Sequence, residues 1–120
     1  MDTKDEPCAD LIFLKKFSKG KKEIVVKYIS IFLRTVPPLL QKLQDQIDKK
    51  EWQLATFSSH ALKTQFNFIG FNSGEVFAQN IQHRLEDKSD LNELTVLLLS
   101  LKILCEKLYL ELVEEINQLK

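Results

Sequence analysis

The chain has 120 residues, enough for one domain, and 44% of them are hydrophobic, enough for a buried core. Lysine plus arginine and aspartate plus glutamate each number 17, so the formal net charge is zero and the basic footprint of a nucleic-acid binder is missing. No apolar run approaches the ~20 residues of a membrane span; the nearest, LTVLLLSLKILC, is interrupted by Ser100 and Lys102.

The N-terminus, MDTKDEPCAD, is acidic and polar and does not read as a secretory leader, and the initiating Met1 points to a free-standing chain. Cys8 and Cys105 form neither a disulfide framework nor a metal motif, which fits the reduced thiols of a cytoplasmic protein. Strand signals are nearly absent: no Asn-Gly or Asp-Gly turn occurs, and helical periodicity dominates. DLIFLKKFSKG reads as a short first helix, about 9–19, ending on Gly20. Val25, Ile29, Phe32 and Val36, continued by Leu40, Leu43 and Ile47, make one apolar stripe over about 21–49. Pro37 and Pro38 fall inside it, which predicts one helix bent near 35–38, with two separate helices as the alternative.

Trp52, Ala55, Leu62, Phe66 and Ile69 mark a helix over about 51–69, closed by Gly70 as a C-terminal cap. Asn72 with Glu75 resembles a capping box opening a helix over about 73–87 through Val76, Ala78, Ile81 and Leu85. Asp90 with Glu93 resembles another, before the stripe Leu91, Leu94, Leu98, Leu101, Cys105, Leu108 and Leu112 of a helix over about 90–119. Four substantial amphipathic helices with short connections predict an all-α fold, an antiparallel four-helix bundle with a short additional N-terminal helix, as a single domain over 1–120.

On a helix turning about 100° per residue, His60 heads a polar stripe with Gln53, Thr56, Thr64 and Asn67. Lys63 lies about 60° to one side of it, and Phe57 and Phe68 lie about 60–80° to the other. Leu62, Phe66 and Ile69 face away, so His60 is not a core histidine. Read from geometry alone, His60 is an ordinary surface histidine and Lys63 a solvated charge. Two phenylalanines so close to a polar stripe are unusual for a purely solvated face.

The segment HALKTQFNFIG, residues 60–70, resembles the signature of the histidine-containing phosphotransfer (HPt) domains of two-component phosphorelays: His-x-Leu-Lys-Gly, with a further glycine ten positions after the histidine. His60, Leu62, Lys63 and Gly70 match in type and spacing. The resemblance extends to YISIFLRTVPPLLQKLQDQIDKKEW, with its mid-helix proline, and to EVFAQNIQHRLE, which looks like the helix beside the histidine helix. Thr64 departs from the pattern, standing where the family has a glycine that leaves room beside the histidine.

The resemblance implies that His60 accepts a phosphoryl group from the aspartyl-phosphate of a receiver domain and passes it to another receiver. Lys63, and the hydroxyl of Thr64, would stabilise the phosphoryl oxygens. Gln82, at the family's spacing, would hydrogen-bond the imidazole and fix its tautomer. Phe57, Asn67 and Phe68 would form the docking surface, with Gly70 structural. Partners would be response-regulator receivers, including that of a hybrid histidine kinase, with no nucleic acid and no membrane, and the chain is expected to be a monomer. No cofactor or metal of its own is implied: Mg²⁺ would come from the receiver. The chain would be a phosphocarrier rather than an enzyme, since FSKGKKE is too short and wrongly spaced for a phosphate loop. Two rival readings are a catalytically inactive helical adaptor that only binds receivers, and a helical bundle binding metal through His60 and His83, although no Glu-x-x-His motif occurs.

Overall fold

Apolar residues recurring every three or four positions can be buried together only if the chain is helical. The computed structural model describes residues 7–120, and these form five α-helices and no strand. They are α1 (Ile12–Phe17), α2 (Lys22–Asp48), α3 (Trp52–Phe68), α4 (Asn72–Asp87) and α5 (Leu94–Leu119), with a 3₁₀ turn, Leu91–Glu93, leading into α5. The readings made on the acidic N-terminus and on Met1 fall on residues 1–6, outside the described residues.

The stripes read from the sequence form the core except at Val76, which is 61% exposed, and at Trp52 and Leu91, which are half-buried at its edge. Val25, Ile29, Phe32, Val36, Leu40 and Leu43 of α2 meet Ala55, Leu62 and Phe66 of α3, Ala78, Ile81 and Leu85 of α4, and Leu94 to Leu112 of α5. Helix α3 packs on α2 and α4, and α5 packs on α4 and α2. A single helix α2 runs through Pro37 and Pro38, which settles the choice between one helix and two.

Helices α2 and α5, at 27 and 26 residues, are much longer than α3 and α4, at 17 and 16. The N-terminal segment covers the difference. The Glu111 carboxylate on α5 accepts from the backbone N–H groups of Cys8 (2.6 Å) and Ala9 (3.1 Å). Asp10 N donates to Gly70 O at 3.0 Å, and Lys15 pairs with Glu115 at 3.4 Å. Leu14 of α1 is fully buried beneath them. Helix α1 begins at Ile12 rather than about residue 9, because Pro7 to Asp10 are held in this strap.

Gly70 closes α3 as expected. It sits at φ +71; its N–H donates to Asn67 O (3.1 Å) and that of Phe71 donates to Phe66 O (2.8 Å). This is the paired bonding of a Schellman end, which needs a left-handed residue at this position. The Phe66 and Phe71 rings, 5.0 Å apart, supply its apolar contact.

Both expected capping boxes fail. Phe71 is the residue before α4 and Asn72 is already helical, with no side-chain cap, because the tight end of α3 leaves no spare residue between the helices. Glu75 accepts from Asn67 at 3.2 Å instead. Asp90 adopts a left-handed conformation (φ 50) and makes no side-chain cap. Glu93 is drawn to Arg84 of α4, at 3.0 Å, rather than back to Asp90.

Candidate functional site

Helix α3 is buried along Ala55, Ser58, Ser59, Leu62 and Phe66. Its packing on both α2 and α4 leaves one outward strip, and His60 is exposed on it. Among the described residues no side chain hydrogen-bonds the His60 imidazole, so the ring is free to meet another molecule. Thr64 Oγ1 donates to His60 O at 3.2 Å, so its hydroxyl hydrogen is engaged by the backbone rather than directed outward to a phosphoryl oxygen, as the resemblance implied.

Lys63 leans toward α4. Its Nζ donates to Gln79 Oε1 at 2.5 Å, and Gln79 Nε2 lies 2.6 Å from Nε2 of His83. Since the Gln79 oxygen accepts from an ammonium that can only donate, the amide nitrogen faces His83 and the imidazole nitrogen accepts. The result is a chain from Lys63 through Gln79 to His83 beside the phosphoacceptor candidate.

Gln82 is not part of it. Its Nε2 donates to Glu86 at 3.3 Å, and its Oε1 is buried without a partner. The expected bond from Gln82 to the His60 ring is therefore absent here. The reason is rotational: positions three apart on a helix diverge by about 60°, so Gln79 and His83 share the face toward Lys63 while Gln82 and Glu86 share another.

The two phenylalanines part company. Phe57 is 62% exposed and makes no ring contact with another aromatic among the described residues. It borders an open recess lined by Trp52, Gln53 and Thr56 of α3 and by Leu85, Glu86 and Lys88 at the end of α4. Phe68 is half-buried in a cluster with Phe13 and Phe17 of α1 and Tyr28 of α2, all edge-on at 5.6–5.7 Å from it. It anchors α1 as well as flanking the exposed strip. Asn67 is exposed and tied to Glu75.

Sequence reasoning missed Gln79, the role of His83 as its partner, and Gly74. A Cβ at Gly74 would overlap the Phe71 ring and crowd Phe66, so the bare backbone there lets α4 begin against those rings. The i, i+4 spacing of Gln79 and His83 was the available signal. Among the described residues no three His, Cys, Asp or Glu side chains come together as a metal-holding group. No helix of the described residues is long and apolar enough to cross a membrane.

No family model matches this chain, and neither does any curated protein or solved structure.

Proposed function

We propose that this chain is a histidine phosphotransfer protein of the HPt type, folded as an antiparallel four-helix bundle with a short N-terminal helix and working in the cytoplasm between receiver domains. The observation that carries the reading is the exposed His60, without a side-chain partner among the described residues, with Lys63 one turn on, its ammonium held at the edge of the same strip by Gln79. A neutral imidazole nitrogen is a competent nucleophile toward phosphorus. In the transfer, an N–P bond to His60 forms as the O–P bond of a receiver aspartyl-phosphate breaks, the carboxylate leaving with its electron pair. In the second transfer an O–P bond to the aspartate carboxylate of the next receiver forms as the N–P bond to His60 breaks, the imidazole nitrogen leaving with its electron pair. Such chemistry asks the protein mainly for positioning and charge neutralisation. Lys63 supplies the positive charge, the receiver supplies Mg²⁺, and exposed Phe57 with its recess offers an apolar contact beside a polar centre.

The test is incubation with a phosphorylated receiver domain and Mg²⁺. Acid-labile, base-stable label is expected on the chain. His60→Gln abolishes it and His83→Gln retains it. Label lost only in the His83 variant would overturn the assignment, and receiver binding without label would leave the chain an adaptor.

A further inference from the structure

The net charge of zero hides an uneven distribution. Residues 11–22 contain five lysines, Lys15, Lys16, Lys19, Lys21 and Lys22, and no acid. They fall on α1 and on the turn into α2, beside the aromatic cluster of Phe13, Phe17, Tyr28 and Phe68. Phe13 and Phe17 are 57% and 52% exposed, so both rings present a large part of their surface to water. Lys16 is exposed next to them, since positions i, i+3 and i+4 are neighbours on a helix. Lys19 is exposed in the turn that follows. Lys21, seven positions before Tyr28, starts α2 within about 20° of the same side, and Lys27 Nζ lies 5.9 Å from the centre of the Tyr28 ring. Lys15 is turned away, to Glu115 at 3.4 Å. Of the nearby acids, Asp10 accepts from Ile12 N at 3.0 Å, where α1 starts. Glu23, one turn before Lys27 on α2, offsets one charge and leaves the rim of the aromatic cluster with an excess of positive charge.

We infer that this lysine rim draws in and orients the phosphorylated receiver through the receiver's acidic face, an inference that rests on the phosphotransfer reading. An aspartyl-phosphate held with Mg²⁺ sits among oxygen ligands, carboxylates foremost, so the face that presents it is anionic. Phe68 lies eight residues along α3 from His60, about 12 Å at ~1.5 Å per residue. A partner covering ~800 Å² centred on His60 reaches roughly 16 Å in each direction, so it meets the aromatic cluster and its lysines as well as the acceptor. The other end of the strip has no such excess: the recess beside Phe57 is lined by one acid, Glu86, and one base, Lys88. The field along the strip is therefore lopsided, and it turns an anionic face toward α1. Charge at an interface rim acts on the rate of encounter and the choice of partner. Lys63, beside the phosphoryl oxygens, acts on the transfer itself, so the two roles separate kinetically.

The experiment is rapid-quench transfer from a receiver domain phosphorylated with acetyl phosphate in Mg²⁺, run over receiver concentration at about 0.1 M and about 1 M salt, where the screening length falls from ~10 to ~3 Å. The second-order rate constant should fall at least about fivefold between the two. Lys16→Glu and Lys21→Glu should each lower it about fivefold at the lower salt, while the rate constant at saturating receiver stays within about twofold and the helical circular dichroism spectrum is kept. Lys107→Glu makes the same change of net charge on α5, which packs on α2 and α4, and should have less than about a twofold effect. Transfer indifferent to salt, a loss as large in the Lys107 variant, or a loss confined to the saturated rate would each overturn the inference. The His60→Gln chain separates it from the reading beneath it: that chain takes no label, yet its affinity for the receiver should keep the same salt and lysine dependence. Label without that dependence overturns the inference alone, and a wild-type chain that neither takes label nor binds the receiver overturns both. Retention on phosphatidylserine vesicles that is lost in the Lys16 and Lys21 variants, with receiver binding unchanged, would reassign the rim to a membrane surface.

Discussion

Lys63 Nζ and Gln79 Oε1 lie 2.5 Å apart, so the one lysine in the exposed strip of α3 is held by the neighbouring helix α4. A charge-assisted hydrogen bond of this type contributes roughly 1.5–3 kcal/mol when shielded, and less at a half-exposed position. The long lysine side chain otherwise samples many rotamers, and the bond confines it. Gln79 should therefore act on transfer through Lys63. Lys63→Ala is expected to slow phosphotransfer by about one to two orders of magnitude, at ~1.4 kcal/mol per tenfold. Gln79→Leu should slow it by no more than about tenfold, within that same hydrogen-bond energy. The double variant should be no slower than Lys63→Ala alone, because two groups acting as one unit are not additive. Independent, multiplying effects in single-turnover kinetics would show that Gln79 acts by another route.

Phe57 and Phe68 should separate in a melting experiment. Phe57→Ala removes a ring that is 62% exposed and touches no other aromatic among the described residues. Its melting temperature should change little, while receiver affinity falls by about 1–2 kcal/mol if the ring is an interface anchor. Phe68→Ala removes the ring shared by Phe13, Phe17 and Tyr28. Aromatic pairs contribute about 0.5–1.5 kcal/mol each beyond area, so a loss of roughly 2–3 kcal/mol and a loosened α1 are expected. Equal melting losses for both variants would contradict this division.

The apolar stripes of α2, α3, α4 and α5 were legible because burial imposes the helical period on the sequence itself. Which polar residue of α4 faces α3 was not legible. Gln79 and Gln82 sit on one helix and differ only by about 60° of rotation. That rotation is set by how α4 starts, with Phe71 buried against Gly74, a packing relation between residues that carries no periodic signal. The capping boxes failed for a related reason. Asn72–Glu75 and Asp90–Glu93 have the right spacing, but Glu75 and Glu93 each found a partner on another segment, Asn67 and Arg84. Local motifs compete with tertiary partners, and here the tertiary partners win.

Two glycines with nearly the same φ offer an internal control. A methyl at Gly20 (+75) would have nothing within 4 Å of it, whereas a methyl at Gly70 (+71) would collide with the backbone of Asp10. Either change to alanine incurs about 1–2 kcal/mol for a left-handed L-residue. Only Gly70→Ala must also break the 3.0 Å bond from Asp10 N to Gly70 O and lift the N-terminal strap from α5. Its thermal loss should clearly exceed that of Gly20→Ala, and amide exchange at Asp10 should accelerate in the Gly70 variant alone. Similar losses with Asp10 still protected would mean the strap is not held by this turn.

The last prediction concerns alkaline stability. Burial pushes the Cys105 thiol up from 9.0 to about 12, outweighing the opposing influence of the Tyr109 hydroxyl, and Cys8 and Glu106 add smaller increases. Burial likewise raises Tyr109, helped by the neighbouring thiol. In both cases the fold favours the protonated form. The unfolded chain ionises at the ordinary values, so their contribution to stability is full below about pH 9 and is lost as the pH climbs towards 12. Unfolding free energy measured by urea titration should fall over that window. Cys105→Ala should cost about 1 kcal/mol at neutral pH, as for deletion of a small buried group. It should also flatten the alkaline decline, leaving the parts due to Tyr109 and to Cys8, whose thiol burial and the Glu111 carboxylate also push up. A variant that keeps the full slope would show that Cys105 already ionises in the folded state, and that its site is open to hydroxide and solvent.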